Sequence, residues 1–131
     1  MSYKNYAHVD VLILNFNGKS LLKRCLDSVL KTDYPDFEIF VIDNGSSDGS
    51  VEFVRKRYPG VKLVEIGRNI GVAAAYNKVI DGLSSEFVAV LNNVVEVDKD
   101  WLKKLMKVID GGDNSIAAVT CKIRFLNNRK G

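Results

Sequence analysis

Five apolar runs recur along the chain, each with the length of a buried strand. They are rich in Val, Ile, Leu and Phe and mostly too continuous for a sheet with one face in solvent. We therefore expect a sheet that is covered on both faces. The runs are VDVLILN (9–15), FEIFVID (37–43), VKLVEI (61–66), EFVAVLN (86–92) and IAAVTCKIRF (116–125).

Between these runs, apolar residues return at the spacing of a helix face. The first predicted helix ends before Pro35, which forbids its continuation, and the next two cover about 48–58 and 72–83. The apolar face of the first helix consists of Leu21, Leu22, Cys25, Leu26, Val29 and Leu30.

A fourth helix is predicted after Asp98, which we expect to be its N-cap. Its buried face is predicted to consist of Trp101, Leu102, Leu105 and Ile109. Strands and helices thus alternate with short connections, a pattern typical of a mostly parallel sheet with right-handed crossovers. The sequence predicts one α/β domain over residues 1–131, with helices on both sides of the sheet in three α/β/α layers.

Composition excludes several classes of protein. With 131 residues, 47% hydrophobic and 27% charged, the chain is typical of one soluble domain that buries its own core. A net charge of +3 is too small for a nucleic-acid-binding protein.

The cysteines and the longest apolar runs bear on the compartment. Cys25 and Cys121 form no CxxC motif and are expected to be reduced. No apolar run is long enough for a membrane span, so we expect a cytoplasmic protein, either free or peripheral to a membrane.

Four of the predicted strands end in polar, amide-rich segments. Ligands of open parallel sheets bind outside the carboxyl ends of the strands, so these segments are candidates for a site. Turn chemistry alone favours Asn, Asp and Gly there, but it does not explain an aromatic Phe16 near Asp43, which ends a buried strand. A nucleobase needs such an aromatic face and a carboxylate that accepts its ring N–H. The segments are 15–18, 43–48, 67–69 and 92–93.

Two phosphate-binding motifs are incomplete. Gly18-Lys19-Ser20 ends like a P-loop, but the glycine required five residues earlier is Ile13. The segment 67–71 has the wrong glycine spacing for a dinucleotide fingerprint. A helix beginning after Gly71 would still offer backbone N–H groups to an anion.

The chain resembles the family 2 glycosyltransferases, which have the GT-A fold. The stretch VLILNFNGKSLLKRCLDSV is similar to their first strand and helix, and VIDNGSSDGS to their second strand end. RNIGVAAAYNKVI resembles the Asn-x-Gly segment that follows, and LNNVVEVDKDWL the strand that carries the metal motif. The four matches are collinear and cover nearly all of residues 9–125.

This resemblance implies a site for a nucleotide sugar. Phe16 would stack on the base, Asp43 would accept its ring N–H, and other residues would lie near the base, ribose and diphosphate. The full set implied by the resemblance is Asn15, Phe16, Asn17, Asp43, Asn44, Asn69, Gly71, Asn77, Asn92 and Asn93.

The metal position departs from the family. The resemblance implies Mg²⁺ or Mn²⁺ held by an aspartate after the paired asparagines, and that position is Val94, whose alkyl group cannot bind a cation. Asn93 and Glu96 are the remaining weak candidates for a ligand. A metal contributes several kcal/mol to the transition state, and a loss of about 4 kcal/mol slows a reaction on the order of a thousandfold.

The resemblance also implies that most of the acceptor-binding half is absent. No catalytic base is assigned, since Asp100 and Asp110 are interpreted as solvated charges. Apolar surface around 116–125 is expected to be left open and to favour a homodimer.

Two functions therefore remain open. The first is the donor-binding part of an inverting glycosyltransferase, specific for a UDP- or dTDP-linked sugar, with an unknown acceptor. The second is a non-catalytic α/β module for interaction or structure. We expect the isolated chain to be inactive as a transferase.

Overall fold

The computed structural model describes residues 6–112, which form four strands and four helices in strict alternation. The predicted strand 116–125, and the self-association expected from it, lie outside the described residues. In order, the elements are β1 (Val9–Asn15), α1 (Lys19–Val29), β2 (Phe37–Asp43), α2 (Ser50–Arg57), β3 (Lys62–Glu65), α3 (Val72–Ile80), β4 (Phe87–Asn92) and α4 (Trp101–Gly111).

The four strands form one parallel sheet in the order β3-β2-β1-β4. The predicted α/β fold with a parallel sheet is therefore confirmed. Strand β1 lies in the interior of this sheet, and its register with β2 runs from Val9 beside Phe37 to Asn15 beside Asp43. Because neighbouring strands run in the same direction, the polar ends of β1 and β2 meet at the carboxyl edge of the sheet.

Helices cover both faces of the sheet, as the continuous apolar runs predict. Val11 and Ile13 of β1 belong to the larger core, which includes buried residues of α1, α2 and α4. Leu12 belongs to a smaller core with Ala75 and Val79 of α3 on the opposite face. Successive side chains of a strand point to opposite faces, so a fully buried strand must be apolar at every position in its middle.

Helix α1 buries a narrower face than the sequence predicts. The residues that pack against the sheet are Leu22, Cys25, Leu26 and Val29. By contrast, Leu21 and Leu30 are 42% and 50% exposed, because they lie at the two margins of this face. Burial raises the pKa of the Cys25 thiol to about 12, so this cysteine behaves as a small apolar side chain. Cys121 lies outside the described residues.

The predicted N-cap of α4 is wrong. The helix begins at Trp101 with Asp100 as N-cap, and the backbone carbonyl of Asp98, rather than its side chain, accepts the Trp101 N–H at 3.1 Å. The segment after α1 contacts the turn over 98–100, because the Asp33 N–H donates to the Lys99 carbonyl at 2.7 Å.

The buried face of α4 also differs in part from the prediction. Trp101 and Leu102 are buried as expected, but Met106 completes the buried set while Leu105 and Ile109 are only partly buried. Within residues 6–112, no helix has the length and apolar character to cross a membrane.

Candidate functional site

The side chain of Asn15 lies at the centre of the carboxyl edge of the sheet. Its amide donates to Asp43 Oδ1 at 3.2 Å and to Ser46 Oγ at 3.3 Å, and its Oδ1 accepts from Asn93 Nδ2 at 2.9 Å. Asn15 is 0% exposed and Asp43 only 3% exposed. One buried amide therefore joins the ends of β1 and β2 to the segment after β4.

The turn after β2 is closed by the Asp43 carboxylate. Its Oδ2 accepts the Ser46 N–H at 2.9 Å, and Ser46 Oγ in turn accepts the Asn17 N–H at 2.9 Å. Asn17 has a positive φ of 50° and accepts the Ser47 N–H on its Oδ1 at 2.7 Å. Reciprocal bonds thus hold the loop after β1 against the loop after β2.

A second amide pair connects the loop after β2 to the segment before α3. Asn44 Nδ2 donates to Asn69 Oδ1 at 3.1 Å, while Asn44 Oδ1 accepts the Ile70 N–H at 3.1 Å. The Gly71 N–H donates to Asn69 Oδ1 at 2.9 Å. Gly45, with φ of 89°, lies so close to Arg68 that an added Cβ would be 2.6 Å from its backbone.

The structure brings most of the predicted nucleotide-binding residues into one place. Seven of them take part in the hydrogen bonds just described, and Phe16 follows Asn15 directly with 47% of its surface exposed. The seven are Asn15, Asn17, Asp43, Asn44, Asn69, Gly71 and Asn93.

Two predicted site residues lie apart from this network. Asn92 uses its Oδ1 to accept the Val94 N–H at 3.3 Å, so it shapes the turn after β4. Asn77 is exposed on α3, and its side chain takes no part in the hydrogen bonds described for residues 6–112. Next to it, Tyr76 is directed at β4, where its hydroxyl donates to the Leu91 carbonyl at 3.0 Å.

Ser46 and Asp48 lie in the predicted segment 43–48, but the predicted set of nucleotide-binding residues includes neither of them. Ser46 Oγ accepts hydrogen bonds from the Asn15 side chain and the Asn17 N–H. Its position three residues after Asp43 is typical of a turn closed by an aspartate side chain, and that spacing could have indicated its role. Asp48 accepts the Lys19 N–H at 3.0 Å and so satisfies a free donor at the start of α1. Although partial desolvation opposes ionisation, hydrogen bonds from Ser50 and the Lys19 N–H hold the pKa of Asp48 below its ordinary value.

The segment after β4 offers a poor set of ligands for a divalent metal. Val94 is 54% exposed and carries no donor atom. Glu96, the one nearby carboxylate proposed as a substitute, is paired with Arg24 at 3.0 Å. Asn93 is oriented by its bond to Asn15. A hard cation prefers several oxygen ligands with negative charge among them, so these residues do not fit the family's metal.

The fold and the polar edge together define a class of protein. A parallel α/β sheet that gathers an exposed aromatic ring, a carboxylate and several amides at its carboxyl edge is typical of nucleotide-binding domains. The chain matches the family model described as glycosyl transferase family 2 over residues 10–131, which is nearly all of it. It belongs to that family, as the sequence resemblance indicates.

Similar proteins include two curated enzymes. The chain is 30% identical over 108 residues to the glycosyltransferase AglE of Haloferax volcanii, covering 79% of this chain and 36% of AglE. It is 33% identical over 94 residues to the poly-β-1,6-N-acetyl-D-glucosamine synthase of Staphylococcus epidermidis, covering 70% of this chain and 23% of the synthase. The chain thus spans well under half the length of these relatives.

Solved structures agree on the fold. The mannosyltransferase PcManGT from Pyrobaculum calidifontis, in complex with GDP-Man and Mn²⁺, superposes with a TM-score of 0.83 at 27% identity. The match covers 92% of this chain and 37% of the mannosyltransferase. S. aureus TarS 1-349 in complex with UDP-GlcNAc has a TM-score of 0.71 at 22% identity, over 86% of this chain and 37% of TarS 1-349, and supports the fold alone.

Proposed function

We propose that this chain is the donor-binding part of an inverting glycosyltransferase and binds a nucleotide sugar at the carboxyl edge of its sheet. The observation that carries the proposal is the buried network around Asn15 and Asp43, beside an exposed Phe16. Membership of glycosyl transferase family 2 supports it, and so does the mannosyltransferase PcManGT, which is 27% identical and holds GDP-Man.

Two residues would recognise the base. The exposed ring of Phe16 provides a stacking surface, and stacking on an aromatic side chain is worth about 1–3 kcal/mol per base. Asp43 accepts one hydrogen bond on each oxygen from within the protein, and a carboxylate has about four acceptor positions in all. An acceptor at this place would pair with the ring N–H of uracil or thymine, and it selects against cytosine and adenine, which have no ring N–H in a nucleotide. Guanine also has one, so the nucleotide titration below includes GDP beside UDP and dTDP.

Asn15 would act as a positioning residue. Because its side chain is fully buried, it orients the Asp43 carboxylate and the Asn93 amide rather than contacting the ligand. The amides of Asn44 and Asn69 hold the start of α3 in a similar way. The first N–H groups of α3 are then presented to the diphosphate.

The proposal includes metal-independent binding of the nucleotide. Val94 supplies no ligand atom at the metal position of the family, and the nearby Glu96 is held in a surface pair with Arg24. The same observation favours a second candidate function, a non-catalytic module that retains the fold and has lost transfer.

Thermal unfolding with UDP, dTDP and GDP in turn, each with Mn²⁺ and with EDTA, tests the proposal. A ligand at a hundred times its dissociation constant contributes about 2.7 kcal/mol, which raises the midpoint by several degrees. We expect a rise with UDP or dTDP that EDTA does not abolish. If none of the three nucleotides shifts the midpoint, the donor site is not functional and the second candidate is favoured.

A substitution at Phe16 tests its stacking role. Phe16→Ala should weaken binding of the effective nucleotide by about tenfold or more while leaving the unliganded midpoint nearly unchanged, because the ring is half-exposed. Leu21→Ala is the matched control, since it removes a similarly exposed apolar side chain from α1. Equal affinities of the two variants and the unaltered protein would contradict the role of Phe16.

A gain-of-function variant separates the two candidate functions. Val94→Asp restores a carboxylate at the metal position of the family, and it should make nucleotide affinity increase with Mn²⁺. Val108→Asp, at a similarly exposed valine on α4, is the control for added charge. If nucleotide binding by Val94→Asp stays indifferent to Mn²⁺, the site has diverged beyond its missing ligand.

A further inference from the structure

A group of metal-binding side chains lies at the amino edge of the sheet, opposite the nucleotide site. His8, Asp10 and Glu38 each offer one ligand atom, and these atoms all lie within 4.8 Å of one another. Asp10 and Glu38 are direct neighbours in the register of β1 and β2. Asn15 lies five residues after Asp10 along β1, which corresponds to about 16 Å. This inference is thus independent of the proposed function.

The orientation of His8 is set by a partner outside the group. His8 Nδ1 is 2.7 Å from Asp36 Oδ1, and Nε2 is 2.8 Å from Asp10 Oδ1. Histidine ligands of metals are commonly held in this way, with the second ring nitrogen donating to a carboxylate. The Ser85 hydroxyl donates to the other oxygen of Asp10 and fixes that carboxylate as well.

A structural ion pair accounts for only part of this arrangement. Asp10 is 5% exposed, and pairing with His8 explains how a carboxylate is accommodated there. It does not explain why Asp36 and Glu38 also lie beside the same imidazole. These three carboxylates carry a charge of −3, and the cations paired with them among residues 6–112, a protonated His8 and Lys62, which is 2.7 Å from Glu38, supply +2. Within the described part of the chain, negative charge therefore exceeds positive charge in this group.

We propose that His8 Nε2, Asp10 Oδ1 and a Glu38 carboxylate oxygen bind a divalent transition metal, with Zn²⁺ as the best fit. One imidazole and two carboxylates with water in the fourth position satisfy the tetrahedral preference of Zn²⁺. Bonds of about 2.0–2.1 Å place tetrahedral ligand atoms about 3.4 Å apart.

The present geometry is close to that requirement. Metal binding needs the 2.8 Å contact between His8 and Asp10 to open and Glu38 to approach. Glu38 is able to move because its side chain is 44% exposed, and its surface pair with Lys62 holds it only weakly. The bound ion would link β1 to β2 at the amino edge.

Metal titration of the complete chain, free of any polyhistidine tag and stripped with EDTA, tests the site. A Cys121→Ser background removes a competing thiol. We expect one equivalent of Co²⁺ to bind with the visible absorption of a four-coordinate site, and Zn²⁺ to displace it. His8→Gln and Glu38→Gln should each weaken binding by at least about tenfold. Glu65→Gln, at an exposed carboxylate on β3, is the control and should leave affinity unchanged.

Three results would overturn the site. The first is the absence of stoichiometric Co²⁺ or Zn²⁺ binding, and the second is unchanged affinity in both His8→Gln and Glu38→Gln. The third is equal weakening by Glu65→Gln, which would indicate general surface charge. Circular dichroism before titration confirms that each variant is folded, and Glu38 is exposed enough for its replacement to be tolerated.

Discussion

The two ends of strand β1 accommodate buried polar groups in different ways. At the carboxyl end, Asn15 is fully buried and satisfied by neutral or singly charged partners in a chain of amide hydrogen bonds. At the amino end, Asp10 is almost as buried and is satisfied by His8 and Ser85 within a group of charges. Between them the strand is apolar without interruption.

The difference follows from the cost of burying each group. A buried amide needs only hydrogen bonds, whereas a buried carboxylate also needs opposite charge nearby. Among the described residues, every buried side-chain nitrogen or oxygen has a hydrogen-bond partner. Stability should therefore depend little on pH near neutrality at the carboxyl edge, around Asn15, and strongly on the fit of neighbouring groups. At the amino edge, around His8 and Asp10, we expect stability to depend on pH and less on shape.

Removing the central amide should have the largest effect on stability. Asn15→Ala removes the hydrogen-bond partner of Asp43 Oδ1 and of Asn93 Nδ2, and each loss costs about 1–3 kcal/mol, so we expect a total of about 3 kcal/mol. Denaturant unfolding measures the change. Asn77→Ala, at an exposed asparagine of α3, should change stability by less than about 0.5 kcal/mol. Similar values for the two variants would show that the amide network contributes little.

Altering the shape of the same edge should have a smaller effect. Gly45→Ala introduces a Cβ 2.6 Å from the Arg68 backbone at a positive φ, and we expect a loss of about 2 kcal/mol. Gly60→Ala is the matched control, because its Cβ would meet no atom within 4 Å. Thermal unfolding of both variants compares them. Equal midpoints would mean that the loops after β2 and β3 separate easily.

The smallest effect is expected at the amino edge, and it should depend on pH. Hydrogen bonds to Asp36 and then Asp10 raise the pKa of His8 above 6.5. A group whose pKa is higher in the folded than in the unfolded protein stabilises the fold fully when the pH is below its unfolded-state pKa. This contribution is lost as the pH rises through its folded-state pKa. The stability difference between the unaltered protein and His8→Gln should therefore be larger at pH 6 than at pH 9.

Measurement in EDTA keeps this titration separate from metal binding. Since His8 is about one-third exposed, we expect the pH-dependent part to stay below about 1 kcal/mol. Asn15→Ala provides the contrast, since its loss of stability should be the same at both pH values. A His8→Gln difference that does not vary with pH would contradict the ionic character of this edge.

Much of this architecture was accessible from the sequence. Continuous apolar runs predict strands buried on both faces, and the ranges 9–15 and 37–43 agree with the structure to the residue. Periods of 3.6 residues place the helices, because burial of one face is a local property of spacing. Helix ends were less accurate: α3 ends at Ile80 rather than near Leu83, as short i to i−3 bonds replace the helical pattern there.

The sequence predicts which residues form the polar carboxyl edge, but not which of their side chains are buried and which are exposed. Four strand ends with amides, and the collinear motifs of the family, indicate a candidate site from the sequence alone. That Asn15 is buried and Phe16 is exposed follows only from the packing of α1 and of the loops after β2 and β4 around β1. Local sequence does not specify which of two adjacent side chains faces the protein.

The partners of the charged residues are evident only from the tertiary structure. Glu96 pairs with Arg24 across 72 residues of sequence, a contact that no local pattern indicates. Asp10 meets Glu38 because β1 and β2 are parallel neighbours in one particular register, and a shift of one residue would send each side chain to the other face. The sequence by itself determined the alternating strands and helices and the family. The assembly of residues distant in the chain into two polar edges required the sheet, because contacts between strands depend on their order and register.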